Sequence, residues 1–188
     1  MAGLEALGAE TWFRLGDRDL ATHLERTRLL ASGLTLTQVT RHLCARLGVA
    51  VNLLPMSDTP IRTVIDSGDG TLAFQDYFVR RRAEPVVNGI RYEGATKPPP
   101  IAALASLLTD PGLAAIFIAP SNPWLSIDPI LAIPSLAAAL RSTTAPVIAS
   151  TSRARAPFCT SRATEVVTSA SISVIRVHCA EGIRLTPS

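Results

Sequence analysis

Lysine is almost missing from this chain: Lys97 is the single one among 18 basic residues. That skew towards arginine reads as coding bias rather than chemistry. Cysteine is scarce. Cys44, Cys159 and Cys179 have no metal-ligand spacing and form no even set, which excludes a disulfide scaffold and a zinc site and leaves a reduced, cytoplasmic setting as the expectation. No apolar run reaches the roughly 20 residues that span a bilayer, and the N-terminus lacks the basic segment and apolar core of a signal peptide, so no membrane partner is expected. The body also lacks a charge excess. The net charge of +3 lies entirely in Thr151–Ser188, which holds five arginines and two glutamates, so residues 1–150 are neutral. A nucleic-acid binder needs a basic face, and none is visible here.

The residues present describe a globular chain. At 188 residues, 47% hydrophobic and 18% charged, it has core enough for one domain, with a tail. Asp17 or Asp19 is a candidate cap for a helix from Leu20 to about Leu30, and Thr35 for a second over Leu36–Leu47, closed by Gly48. His42 reads as a surface residue and Cys44 as an inert one. Val49–Leu54 reads as a buried strand. Arg62–Asp66 and Thr71–Phe74 read as a hairpin around Ser67-Gly68-Asp69-Gly70. Gln75–Arg82 reads as a helix ending in three arginines, either a solvated helix end or an anion site. Val86–Glu93 has strand character, Gly94–Pro100 is a proline-rich connector, and Ile101–Leu108 is an apolar helix. Leu136–Arg141 is a further helix and Pro146–Ala149 a short strand. From Thr151 the text changes: eleven of the last 38 residues are Ser or Thr. This tail reads as divergent from the domain of residues 9–150, although Val166–Val177 has strand character.

The most informative stretch is 114–131. An apolar run reads as a strand buried on both faces. Pro120 and Pro123 break it, and Ser126 is placed to cap a helix with Asp128 and Pro129 at its start. In open α/β sheets such strand ends are where ligands bind, and a helix start suits a phosphate. Near the N-terminus, residues 10–19 crowd Arg14, Asp17 and Asp19 together, with His23 one turn further. A loop here could aim Asp17 and Asp19 at one Mg²⁺, or the run is a cap with solvated charges.

Several of these stretches together resemble one family, the 2-phospho-L-lactate transferases of coenzyme F420 biosynthesis. The matching text is ETWFRLGDRDLATHLERTRLL at 10–30, LTLTQVTRHL at 34–43 and VNLLPMSDTPIRTVI at 51–65. It continues with GTLAFQDYFVRRR at 70–82, VNGIRYEGA at 87–95 and IAPSNPWLSIDPILAIP at 118–134. The resemblance runs in order over about residues 9–149. Members begin with a strand and a loop containing Gly-Gly-Thr-Gly and an Asp that helps bind the acceptor. This chain starts inside that pattern and departs from it after about residue 150, so it reads as truncated.

The resemblance implies an α/β fold: a Rossmann-like, mostly parallel sheet with flanking helices and a small β-hairpin insertion, incomplete relative to the family. It implies a Mg²⁺-dependent transferase that moves a 2-phospholactyl or phosphoenolpyruvyl group from a guanosine-diphosphate-linked donor to the hydroxyl of the deazaflavin Fo, releasing GMP. In those roles Asp17, Asp19 and Asp58 are the catalytic candidates, with Asp17 and Asp58 as metal ligands. Arg14, His23, Ser121, Asn122 and Ser126 are the substrate-binding candidates, and His23 is also a candidate base. Trp12 and Phe13 are candidates for stacking on the deazaflavin. A homodimer is a candidate assembly. The alternatives are a UDP-sugar-binding regulatory protein of the same fold and an inactive fragment of the transferase.

Overall fold

The computed structural model describes residues 2–96 and 101–149. The expectations for residues 151–188, including the strand at 166–177, lie outside the described residues. The chain divides into two compact units, Met1–Pro98 and Pro99–Ser188, and the division falls in the expected proline-rich connector.

The first unit opens with α1 (Ala2–Ala6), then α2 (Asp17–Ala31) and α3 (Leu36–Arg46). Helix α2 starts earlier than the sequence suggests. Its N-cap is Gly16, whose lack of a side chain leaves Asp17 and Asp19 inside the first turn rather than at the cap, where their charge suits the helix dipole. Both helices end in a left-handed glycine. Gly33 (φ +90°) follows α2 and Gly48 (φ +69°) follows α3. In each, the N–H one residue beyond the glycine returns to the third-last helical carbonyl, Leu34 to Leu29 and Val49 to Cys44. This geometry satisfies carbonyls that would otherwise be orphaned. Leu29 and Val39 are the buried residues of the pair. At its surface Glu25 pairs with Arg28 at 2.8 Å and with His42 at 3.5 Å.

Residues 49–54 are a correction to the sequence reading. No strand forms there, and Val49, Val51 and Leu53 are exposed. An apolar run becomes a strand only where a neighbour supplies ladder partners, and among the described residues nothing pairs with this one.

The hairpin forms as expected. β1 (Arg62–Ser67) and β2 (Gly70–Ala73) are antiparallel through a two-residue Gly68-Asp69 turn, and β3 (Val87–Glu93) adds to the other side of β1, also antiparallel. The order is β2-β1-β3, with a bulge at Asp66/Ser67. Val64, Ile65 and Leu72 are buried. On the outer face Arg91 of β3 grips Asp66 of β1 with two bonds, at 2.8 and 3.0 Å. Between β2 and β3 the expected helix is mostly a π-helical turn, Asp76–Arg80. Its Tyr77 is fully buried, and the phenol donates to the Ala83 carbonyl at 3.2 Å while the Ala83 N–H donates back to the Tyr77 carbonyl. Two bonds thus hold a turn in which Arg82 (φ +52°) and Ala83 (φ +57°) are both left-handed, a conformation that costs an L-residue about 1–2 kcal/mol.

The second unit is α4 (Ala102–Leu108), β4 (Ile116–Ile118), a second π-helical turn (Pro123–Ile127) that runs directly into α5 (Asp128–Leu131), then α6 (Pro134–Ser142) and β5 (Val147–Ala149). β4 and β5 are parallel, in register from Ile116 opposite Val147 to Ile118 opposite Ala149, with helices in the crossover. This is the Rossmann-like part of an α/β fold, and the hairpin of the first unit is part of a three-stranded antiparallel sheet. Leu108, Leu113, Ile116, Ile130, Ile133 and Leu136 make its core. β4 is not buried on both faces as its apolar run suggested. Ile116 is fully buried but Phe117 is 37% exposed, and β5 is the only ladder neighbour β4 has among the described residues.

No single helix among the described residues is long and apolar enough to cross a membrane.

Candidate functional site

The residue-dense segment before α2 is tied to the first π-helical turn. The Trp12 Nε1–H donates to Glu10 at 3.0 Å, and Phe13 meets Trp12 edge-on at 5.7 Å. The Arg80 guanidinium lies 5.7 Å above the Trp12 ring. One face of Trp12 is therefore taken by a cation–π contact rather than offered to a flat ligand. Arg80 also reaches Asp76, and Arg81 pairs with Asp76 and Asp69, each at 3.2 Å. The hollow beside Arg81 is lined by Asp69, Glu84 and Pro85 as well. Two carboxylates against one guanidinium do not make an anion site, so the solvated reading of the arginine triplet is the one the geometry favours.

Arg14 is exposed and has no ion-pair partner among the described residues, which leaves its planar fork open to a ligand. Asp17, Asp19 and His23 are exposed on the first two turns of α2. Asp17 and Asp19 are two apart on a helix and do not face one another, so the joint aim at one ion expected of a loop is not met. Asp19 instead folds back over the N-cap: a Cβ on Gly16 would lie 3.3 Å from its Oδ2.

Asp58 is the most strongly positioned of the candidate carboxylates. Its Oδ1 accepts from the Thr37 backbone N–H at 2.7 Å, across 21 residues of sequence, and so closes the N-terminus of α3. Helix α3 also carries a complete local capping box. Thr35 Oγ1 accepts from the Gln38 N–H at 3.3 Å, and Gln38 Oε1 accepts from the Thr35 N–H at 2.8 Å. The loop bearing Asp58 is itself locked. Buried Ser57 accepts from the Thr59 N–H and donates to the Thr59 carbonyl, both at 2.9 Å. Asp58 is exposed, and its Oδ2 makes no hydrogen bond among the described residues.

In the second unit the loop after β4 carries Ser121 and Asn122, at the carboxyl end of a parallel strand, where ligands gather in this architecture. The helix after it starts earlier than expected. Asn122, not Ser126, is the N-cap: its Oδ1 accepts from the Leu125 N–H at 3.1 Å, with Pro123 at the first helical position. Ser126 sits inside the π-helical turn, 1% exposed, with an Oγ that has no partner among the described residues, so it is not on the surface of the loop. Burial pushes the Asp128 carboxyl above its ordinary range.

Among the described residues no three His, Cys, Asp or Glu side chains cluster as a metal cage. Mg²⁺ does not need one. It is commonly held by one or two carboxylates together with substrate phosphates and water, and Asp58 and Asp17, both exposed, each carry oxygen donors of the kind it takes.

The sequence reading missed the Thr37–Asp58 bond, whose partners are too far apart to pair by spacing. It also missed the Asn122 cap, although Asn-Pro ahead of an apolar run is a helix-start signal.

The family model described as 2-phospho-L-lactate transferase CofD matches residues 6–183, beyond the 9–149 over which the motifs read. The chain is 43% identical over 152 residues to the phosphoenolpyruvate transferase of Mycolicibacterium smegmatis, covering 77% of this chain and 46% of that protein. It is 42% identical over 143 residues to the phosphoenolpyruvate transferase of Mycobacterium leprae, covering 73% of this chain and 42% of that one. The chain thus spans less than half the length of these relatives. In fold it is similar to a Bacillus halodurans protein solved twice. One structure has a TM-score of 0.53 at 16% identity, covering 67% of this chain and 39% of that one. The other, described as a member of the UPF0052 family, has a TM-score of 0.51 at 17% identity, covering 65% and 38%.

Proposed function

Because the chain belongs to the 2-phospho-L-lactate transferase CofD family, we propose that it serves the same transfer in coenzyme F420 biosynthesis. The group moved is 2-phospholactyl or phosphoenolpyruvyl, the donor is guanosine-diphosphate-linked and the acceptor is the hydroxyl of Fo. The observation that carries this reading is 43% identity to a phosphoenolpyruvate transferase, sustained over 152 residues. The same likeness favours the enolpyruvyl donor. The proposed setting is the cytoplasm, with a homodimer as the candidate assembly.

The chemistry is phosphoryl transfer. The acceptor oxygen bonds to the phosphorus that carries the lactate or enolpyruvate 2-oxygen, the bond from that phosphorus to the GMP oxygen breaks, and the hydroxyl proton passes to a base. Little covalent work falls to the protein, so positioning and charge neutralisation dominate. Ser121 and the amide group of Asn122 are proposed to bind the donor diphosphate. Asn122 can do so while its oxygen caps the helix, because the two NH₂ hydrogens remain. Arg14 is proposed to meet the developing phosphate charge or the acceptor, for which a bidentate fork is suited. Asp58, with Asp17, is proposed to hold Mg²⁺, which when bound neutralises phosphate charge. Asp19 and His23 are left to steer the acceptor hydroxyl or take its proton. Ser126, being buried, acts through the shape of the turn.

The test mixes the purified chain with Fo, Mg²⁺ and the guanylated donor and follows GMP. Release that depends on Fo supports the reading. Asp58→Asn and Asn122→Ala should each lower it by about 10²-fold or more, the scale for losing one transition-state contact. Wild-type rates in both variants would remove the site assignment, and tighter binding of a UDP-sugar than of GDP would favour the regulatory alternative.

A further inference from the structure

We infer that the N-terminus of α3 is the device that positions Asp58, and that the Thr37 N–H, rather than the Thr37 side chain, is its working part. The inference rests on the reading of Asp58 as metal-facing. A carboxylate that ligates a metal is commonly fixed by a hydrogen bond to its other oxygen, and loss of such a partner weakens metal binding by about 10–100-fold. Asp58 has that arrangement. Oδ1 is held at 2.7 Å by the Thr37 N–H, and Oδ2 makes no bond among the described residues.

Three features make this more than an incidental contact. The donor belongs to an 11-residue helix whose first turn is already closed by the Thr35–Gln38 box, so the Thr37 N–H is a fixed point rather than a fraying end. The acceptor belongs to a turn locked by buried Ser57. The two come from separate stretches, LTLTQVTRHL and PMSD, and this bond joins them. The Thr37 hydroxyl takes no part: its Oγ1 is buried without a partner among the described residues. Thr37 is thus a positioning residue that acts through its backbone.

The experiment separates backbone from side chain. Thr37 is the second residue of α3, where the N–H has no intrahelical partner, so Thr37→Pro deletes the N–H without removing a helical bond, whereas Thr37→Val deletes the hydroxyl and keeps the N–H. Each variant of the full chain is titrated into Mn²⁺–GDP, and binding is read from water-proton relaxation enhancement. Thr37→Pro should bind about 10-fold more weakly than wild type, Thr37→Val should match wild type, and Asp58→Asn should lose the enhancement. Equal affinity of Thr37→Pro and wild type, with Asp58→Asn impaired, overturns the positioning role alone. Equal affinity of Asp58→Asn and wild type overturns the metal-facing reading of Asp58, and the positioning role with it. Should Thr37→Pro fail to fold, Gln38→Ala, which opens the capping box, is measured instead: weaker binding supports the inference and unchanged binding overturns it.

Discussion

Gly94 closes β3 with φ +88°, and a Cβ there would lie 2.6 Å from the Pro60 carbonyl oxygen, about 0.8 Å short of ordinary contact at 3.4 Å. Two penalties follow for Gly94→Ala. The left-handed backbone costs an alanine about 1–2 kcal/mol, offset by about 0.5–1 kcal/mol because the unfolded chain has less freedom to lose. The overlap adds about 1–3 kcal/mol, the range for forcing atoms into a packed site, because its partner is backbone and cannot rotate away. The net loss should be about 1–4 kcal/mol. Gly70 supplies the control. It has φ +101° and nothing within 4 Å of its would-be Cβ, so Gly70→Ala carries the backbone term alone, about 1 kcal/mol or less. Urea unfolding of both variants measures the difference. In a chain of this length each kcal/mol should also shift the melting temperature by about 2–4 °C. Agreement of the two variants within about 0.5 kcal/mol would refute the steric argument. Pro60 is two residues beyond Asp58, so the same substitution should also weaken Mn²⁺–GDP binding.

Two carboxylates should bend the pH dependence of stability in opposite directions. Burial raises the Asp128 carboxyl, so its folded form holds the proton more firmly than its unfolded form. Stability from this group is greatest below the ordinary aspartate range and falls as pH rises through the raised value. Asp128→Asn should therefore be more stable than wild type at neutral pH, with the gain vanishing in acid, as read from urea midpoints at the two pH values. Asp66 behaves the other way. The Arg91 hydrogen bonds hold its carboxyl below the usual range, so its contribution is present at neutral pH and is lost as pH falls through the depressed value. Arg91→Lys, which cannot reproduce the fork, should flatten the acid limb, and an unchanged limb would show that the pair is inert in solution.

Local chemistry made much of the fold legible. Thr35 and Gly48 bracket α3 as caps should, and Ser67-Gly68-Asp69-Gly70 turns the hairpin, because each signal is satisfied by atoms a few residues away. Where a feature depends on distant partners, the reading failed. Among the described residues, Val49–Leu54 has the composition of a strand but finds no ladder, and β4 has the apolar run of a central strand but one neighbour. The site divides the same way. Arg14, Asp17, Asp58 and Asn122 could be nominated from their motifs. That Asp58 is gripped by a helix 21 residues upstream, and that Ser126 is buried, are facts of tertiary placement that spacing cannot express.

The turn at Arg82 and Ala83 has a consequence for how such sequences can drift. Two consecutive L-residues are left-handed there, held in part by the Tyr77 phenol on the Ala83 carbonyl. A phenylalanine at 77 would release that carbonyl and leave only the backbone bond from the Ala83 N–H against the strain, whereas a glycine at 82 or 83 would make the clamp unnecessary. The three positions should therefore change together: lineages that keep tyrosine are free to carry side chains in the turn, and lineages that lose it should turn to glycine there.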